Sequence, residues 1–398
     1  MDKKIEQFIS KESVIKADSK PVILNLRNDS DKMTLSRLIT DGKIHHVVDD
    51  YNEQLKEYFQ VTNPTLVYAP HFGEEFSKYC KDLEKEMPFW QQGMWVYFPW
   101  ISTLSHILEE EAFYLVRTAR NRNLINKEEQ DKFYNSVVGI AGLSVGNSIA
   151  LTIVLQGGAK HIRLADFDRL SLSNTNRVRA GVDSLGLPKV EMTARQIYVL
   201  NPYATIELFP EGLTKESVVR FFEGLPKLDI VIDELDNLAI KYLIREYAKK
   251  NRLAVIMGAD NGDNAVIDIE RYDENPDTKF FHGRMGEVSY DELSKLDKLG
   301  IGKTITKHIG PENVTERMQE SLLEMGKTIV SWPQLGGAAL VNGSAAAYCA
   351  RKILNKEPLE GNRAIISLDE KLVPNYNSPE EIAKREKVSE GFKKIFGL

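Results

Sequence analysis

Four stretches of this chain carry residues whose types and spacing can do chemistry. The first is a glycine turn, Gly142-Leu-Ser144-Val-Gly146, and the second is the pair Asp166 and Asp168. The third runs from Asn174-Thr-Asn-Arg177 to Gly186-Leu-Pro-Lys189, and the fourth is Asp233-Glu-Leu-Asp236-Asn237. Glycines let backbone approach a phosphate, and a helix starting behind them offers free N–H groups and a positive dipole end. An acid placed like Asp166 can accept hydrogen bonds from ribose hydroxyls. A dehydrogenase has no need of an Arg, a Lys and a further Asp beside its cofactor phosphates. A nucleoside triphosphate with magnesium does: the cations bind phosphate and the carboxylate holds the metal.

The elements around these stretches can bring them together. VVGIA reads as a buried strand ending at the glycine turn, and Val145, Ile149, Ile153 and Val154 mark a helix that stops at Gly157-Gly158. HIRLA is a second strand running into Asp166, which completes a βαβ unit. Beyond Lys189 come a helix (VEMTARQIYVL), a strand (TIELF), a helix over 213–225 with Thr214 as its cap, and a buried strand (LDIVID). A further helix (NLAIKYLIREYAKKN) and the strand LAVIMG close the set. Alternation of this kind predicts an α/β fold with a doubly wound, mainly parallel Rossmann-like sheet, an α-rich N-terminal region and a smaller C-terminal α+β extension. Ligands of such sheets bind beyond the strand C-termini, where Gly142–Gly146, Asp166 and Asp236 all fall. Taken alone, Asp236 would also serve as a helix N-cap.

These motifs, in this order over roughly Arg117 to Asp263, make the chain resemble the ThiF/MoeB/ubiquitin-activating-enzyme adenylyltransferases. The resemblance implies an ATP-dependent adenylyltransferase that activates a carboxylate, forming acyl-AMP and pyrophosphate. It implies Gly142, Ser144 and Gly146 as the nucleotide loop, Asp166 as the ribose ligand with Asp168 beside it, and Asn174, Arg177 and Lys189 as phosphate ligands. Asp236 is the implied magnesium ligand. The implied catalytic set is Arg120, Arg177, Lys189 and Asp236, with Arg120 (Arg122 in reserve) reaching the ATP of a neighbouring subunit in a homodimer. The chain departs from the family's GxGGxG, which here is GIAGLSVG with Ser144 inside the loop. The implied partner is a carboxylate: the C-terminus of a ubiquitin-like protein, a peptide, a modified tRNA or a small molecule. Ubiquitin-activating enzymes pass the acyl group to a cysteine after the nucleotide domain. This chain has only Cys80 and Cys349, so no thioester-forming cysteine of its own is expected, and without a CxxC no zinc site is expected either.

Composition sets further bounds. The chain has 398 residues, 42% hydrophobic and 28% charged, with a net charge of −6 and no basic block, which argues against general nucleic-acid binding. No apolar run approaches the length of a membrane span. The opening MDKKIEQFISKES lacks an apolar signal core, and a cytoplasmic location is expected. The expected domains are an aromatic-rich region over 1–116, an adenylation domain over 117–375 (core 137–260, extension 261–375) and a charged helix over 376–398. In the first, HHVVDDYNEQLKEYFQ reads as one helix; His45 and His46 would then point about 100° apart and form no metal face. MPFWQQGMWVYFPW holds three of the four tryptophans, as a packing platform or a partner surface. A helical stretch carries Leu104, Ile107, Leu108, Phe113 and Leu115. Further on, AVIDIERY reads as an antiparallel strand, and residues 289–330 read as two helices parted by GIGKTITKHIGP. LGGAALVNGSAAAYCARKIL reads as a tightly packed helix, and NRAIISL as a returning strand.

Three other chemistries fit parts of the pattern. Gly142-Leu-Ser144-Val-Gly146 matches the GxSxG nucleophile elbow, with Asp260 and His282 or His308 downstream in hydrolase order. The glycine turn with Asp166 also suits an NAD- or FAD-dependent oxidoreductase. A scaffold that keeps a nucleotide site without catalysis is the third. The first two leave the cations and Asp236 without a role.

Overall fold

The computed structural model describes residues 3–5 and 19–398, so most of the opening segment read for a signal core lies outside the described residues. The chain forms two compact units. One comprises the residues up to Asp131 together with Ala194–Ala204, and the other Lys132–Thr193 with Thr205–Leu398. The expected boundary at 116/117 thus falls inside the first unit.

The first unit is built on a four-stranded sheet of β1 (Val22–Leu24), β2 (His46–Asp49), β3 (Met94–Phe98) and β4 (Thr103–Ile107), in the order β1-β3-β4-β2. The single helix expected over 45–60 is in fact strand β2 followed by α1 (Tyr51–Thr62). The β-branched pair Val47 and Val48 runs parallel to Leu104 and Ser105 of β4, and sheet pairing overrides the helical period. Likewise the stretch from Leu104 to Leu115 divides into β4 and α2 (Glu110–Arg117). The aromatic cluster packs within this unit. Trp95 and Tyr97 join Leu24, Leu26 and Leu104 on one sheet face, and Val96, Phe98 and Ile107 fill the other. His106 is stacked between Tyr51 and Trp95, at ring separations of 4.1 and 4.3 Å.

The second unit has a seven-stranded sheet: β5 (Val137–Ala141), β6 (His161–Ala165), β7 (Thr205–Phe209), β8 (Ile230–Asp233), β9 (Ala254–Asn261), β10 (Asn264–Arg271) and β11 (Arg363–Ile366). Its order is β11-β10-β9-β8-β5-β6-β7. The five strands β5 to β9 are parallel, and the order turns back at β5, which is the doubly wound arrangement expected. β10 and β11 add antiparallel pairs at one edge. Every residue of β10 is buried, which is why Val266 and Ile267 break the alternation seen in its sequence.

Helices α3 (Val145–Leu155), α4 (Lys189–Leu200), α5 (Ser217–Glu223) and α6 (Leu238–Asn251) follow the parallel strands. The cap residue of α5 is Glu216 rather than Thr214 and makes no side-chain cap bond; the Thr214 hydroxyl, just ahead of it, accepts from the amides of Glu216 and Ser217 at 3.2 and 3.1 Å. The segment GIGKTITKHIGP is not a break but most of a helix, α7 (Lys298–Ile309). Its glycines weaken helix propensity, yet Asp297 caps it at Gly300 N (2.7 Å) and burial of Thr306, His308 and Ile309 holds it. α8 (Glu316–Leu323) follows, and α9 (Gly336–Leu354) lies so close to α3 that a Cβ on Gly343 would stand 3.0 Å from Ser148. The charged C-terminal helix, α10 (Pro379–Phe396), buries Phe392 against Val266, Ile309 and Met318 and so belongs to this unit's core. Among the described residues no helix is long and apolar enough to cross a membrane.

Candidate functional site

The site lies past the C-terminal ends of β5, β6, β8 and β9. At the end of β5 the chain turns at Gly142 with φ +88°, where an added Cβ would come within 2.3 Å of the Glu234 carbonyl oxygen. Only glycine tolerates that conformation together with that contact. The Asp166 carboxylate fastens the turn from the end of β6. Its Oδ2 accepts from Leu143 N at 2.7 Å and its Oδ1 from Asp168 N at 2.8 Å. Burial pushes this carboxyl up, and nearby Lys189 partly offsets the effect. The Lys189 ammonium is itself buried, 2.8 Å from Asp168 Oδ2 and 3.9 Å from Asp166 Oδ2.

Asn174 closes a capping box with Ser171, accepting from Ser171 N at 3.1 Å. Arg177, one turn further, donates from Nε to the Ser144 hydroxyl at 2.8 Å and from NH1 to Asn176 Oδ1 at 3.0 Å. Burial lowers the Arg177 pKa while the attractions of Asp260 and Asp236 oppose that shift. After β8, the helix cap is Asn237, whose Oδ1 accepts from Ile240 N at 3.1 Å. Asp236 is therefore not the cap, and it stays exposed with no hydrogen bond or ion pair among the described residues. Asp166, Asp168 and Lys189 are thus linked by direct contacts, Ser144 and Arg177 by another, the turn from Gly142 to Ser144 connects the two groups, and Asp236 attracts Arg177. Arg120 is exposed on the turn Ala119–Asn121 of the first unit.

Two acids at the site were not singled out for it from sequence. Glu234 Oε1 accepts from Gly258 N at 2.6 Å, and Asp260 accepts from Asn342 Nδ2 at 2.6 Å and Gln334 Nε2 at 3.2 Å. Burial raises both carboxyls, against the pull of Lys241 on Glu234 and of the Asn342 and Gln334 hydrogen bonds on Asp260. Glu234 could have been noticed as the residue between the two acids of its motif. Asp260 was noticed only as a hydrolase acid, because its partner Asn342 lies 82 residues away.

The hydrolase arrangement is not formed. His308 pairs with Asp268 at 2.9 Å, His282 bonds the Ile269 carbonyl at 2.9 Å, and Asp260 is held by two amides. The Ser144 hydroxyl accepts a hydrogen bond from an arginine rather than donating one to an imidazole. Among the described residues no three His, Cys, Asp or Glu side chains cluster as a metal cage. A lone exposed carboxylate such as Asp236 still fits magnesium, which is commonly held by one or two carboxylates and the substrate's own phosphates.

A glycine turn, a buried acid at the neighbouring strand end and a sheet order that reverses between them define a nucleotide-binding α/β protein of the doubly wound class. The ThiF family model matches residues 118–286. Over 203 residues the chain is 30% identical to the molybdopterin-synthase adenylyltransferase of Haemophilus influenzae, covering 50% of this chain and 74% of that protein. The chain belongs to the ThiF family. It is also 34% identical over 322 residues to the uncharacterized protein MT1398 of Mycobacterium tuberculosis, covering 80% of this chain but only 44% of that longer protein. Among solved structures, E. coli MccB with MccA-N7isoASN overlaps 65% of this chain and 67% of that one, at a TM-score of 0.45 and 19% identity.

Proposed function

We propose that the chain is an ATP-dependent adenylyltransferase that activates a carboxylate. One observation carries the reading: among the described residues the acid Asp236 and the NH2 end of Arg177 both make no hydrogen bond or ion pair, past the strand C-termini and beside the glycine turn at Gly142. The name of the Haemophilus relative supports it. In the reaction a substrate carboxylate oxygen attacks the α-phosphorus of ATP, the P–O bond to the β-phosphate breaks, and acyl-AMP and pyrophosphate form. The protein's work is positioning and charge neutralisation. Gly142 and Gly146 bring backbone to the nucleotide, and Asp166, which already braces the loop, borders the ribose with Asp168. Arg177, Asn174 and Lys189 meet the phosphates, Lys189 by exchanging its bond to Asp168 for one to phosphate. Asp236 would hold Mg2+, which when bound neutralises phosphate charge. Arg120 serves the site of a second copy in a homodimer.

The carboxylate belongs to a ubiquitin-like C-terminus, a peptide, a modified tRNA or a small molecule. No thioester on this chain follows: Cys349 is buried, with burial pushing its thiol up to about 11, and Cys80 lies on a helix of the first unit. A catalytically silent nucleotide scaffold is the second reading, favoured by the internal bonds that already engage Asp166 and Lys189. Calorimetric titration with Mg-ATP and with NAD, followed by carboxylate-dependent pyrophosphate exchange, separates these readings. Mg-ATP binding with exchange supports the adenylyltransferase, binding without exchange for any carboxylate class supports the scaffold, and NAD binding alone overturns both.

A further inference from the structure

Ser144 occupies the N-cap position of α3, where a serine ordinarily turns its hydroxyl onto the amides of the first helical turn. It makes no such bond. Its Oγ instead accepts from Arg177 Nε at 2.8 Å. Arg177 NH1 is held by Asn176 Oδ1 at 3.0 Å and by the Ser173 carbonyl at 3.3 Å. The guanidinium is thus fixed along one edge, and its NH2 makes no hydrogen bond among the described residues. Asp260 and Asp236 both attract it, yet it forms an ion pair with neither. An arginine without that anchor would be drawn toward Asp236, which unlike the exposed Asp168 has no cation paired with it among the described residues, and would cancel its charge.

We propose that Ser144 is a positioning residue that diverts its hydroxyl from helix capping to hold Arg177 off Asp236, so that a phosphate and its cation can enter between the two. This rests on the adenylyltransferase reading of the site and explains why a hydroxyl replaces a glycine in the loop. Two benefits come from one bond. The Ser144 hydroxyl does not cap the amides at the start of α3, where an anion can approach, and the arginine loses little side-chain freedom when phosphate arrives.

The test uses the full chain and two measurements. The first is the Arg Nε–H nitrogen–proton spectrum of nucleotide-free protein, with the Arg177 resonance assigned by its absence in Arg177→Lys. That resonance is expected to be protected in the wild type and in Ser144→Thr, and lost to exchange in Ser144→Ala with an unchanged melting temperature. The second is Mg-ATP affinity by calorimetry. Ser144→Ala is expected to weaken it about tenfold, the worth of one charge-assisted hydrogen bond, and to have no further effect in an Arg177→Lys background. Equal weakening in both backgrounds would make Ser144 a direct nucleotide ligand and overturn the proposal, as would a resonance that survives Ser144→Ala. If the wild type shows the protected resonance but takes up no Mg-ATP, the adenylyltransferase reading fails and the proposed role toward phosphate goes with it.

Discussion

Two groups of charged residues lie close together in the second unit and are treated in opposite ways. Around Asp233, every charge is paired. Arg245 bridges Asp233 and Glu270, Lys241 stands 3.2 Å from Asp233, Tyr272 donates to Glu270 at 2.7 Å, and the Arg245 guanidinium lies over the Phe281 ring. Burial would raise the Asp233 carboxyl, but Lys241 and Arg245 outweigh it and hold it below its ordinary value. Three residues on, Asp236 is exposed and, among the described residues, has no partner, while Arg177 NH2 makes no hydrogen bond there. The same residue types serve as an ion-paired scaffold in one place and as open valences in the other. Saturated charge fixes the end of β8, and unsaturated charge next to it is what a ligand can complete.

If that division is right, Arg245→Leu should cost the most, because it leaves Asp233 and Glu270 buried with Lys241 as their only cation. A loss of about 3–5 kcal/mol in urea denaturation is expected, and a loss under about 1 kcal/mol would break the contrast. Asp236→Ala should do the reverse. Turnover with ATP should fall about 100- to 1000-fold, while stability stays within about 0.5 kcal/mol. Near-normal turnover would remove Asp236 from the site. Gly142→Ala lies between the two groups. Its positive φ and its contact with the Glu234 carbonyl predict a loss of about 1–3 kcal/mol in thermal or urea unfolding, accompanied by weaker Mg-ATP binding.

The smallest effect is in pH dependence. The Glu234 carboxyl is raised in the folded protein, so the stability it supports is complete below the ordinary carboxylate range and is lost as pH rises through the raised value. Glu234→Gln should therefore flatten the decline in melting temperature toward neutral and higher pH. For Asp268, hydrogen bonds from His308 and Arg363 outweigh burial and hold the carboxyl well below its usual range. Its contribution is present above the unfolded pKa and is lost in acid, so Asp268→Asn should flatten the acid limb instead. Profiles that respond the other way round would contradict these assignments.

The parallel sheet and the strand ends that gather the candidate residues were legible because they depend on local signals. Short apolar runs mark β5, β6 and β8, each ending at a glycine or an acid, and the strand order makes those ends converge. What escaped depends on distant pairing. Val47 and Val48 became strand because β4 lies beside them. Gly300 and Gly302 sit in a helix because His308 finds Asp268 and Ile309 finds Phe392, forty and more residues off. Asn342 anchoring Asp260 is of the same kind. Ser144 is a subtler case: its type and position were visible, but a capping residue that spends its hydroxyl elsewhere is recognised only once Arg177 is seen beside it.

The second unit resumes at Thr205 after an eleven-residue excursion, Ala194–Ala204, that belongs to the first. That segment is secured there by Tyr203, whose hydroxyl donates to the Leu108 carbonyl at 2.6 Å, and by Arg195 over the Trp100 ring. α4 therefore begins with Lys189 in one unit and ends in the other. For anyone dividing the gene, no single cut yields either unit whole. A fragment ending at Asp131 lacks a piece of its own core, and one starting at Lys132 carries that piece as an orphan.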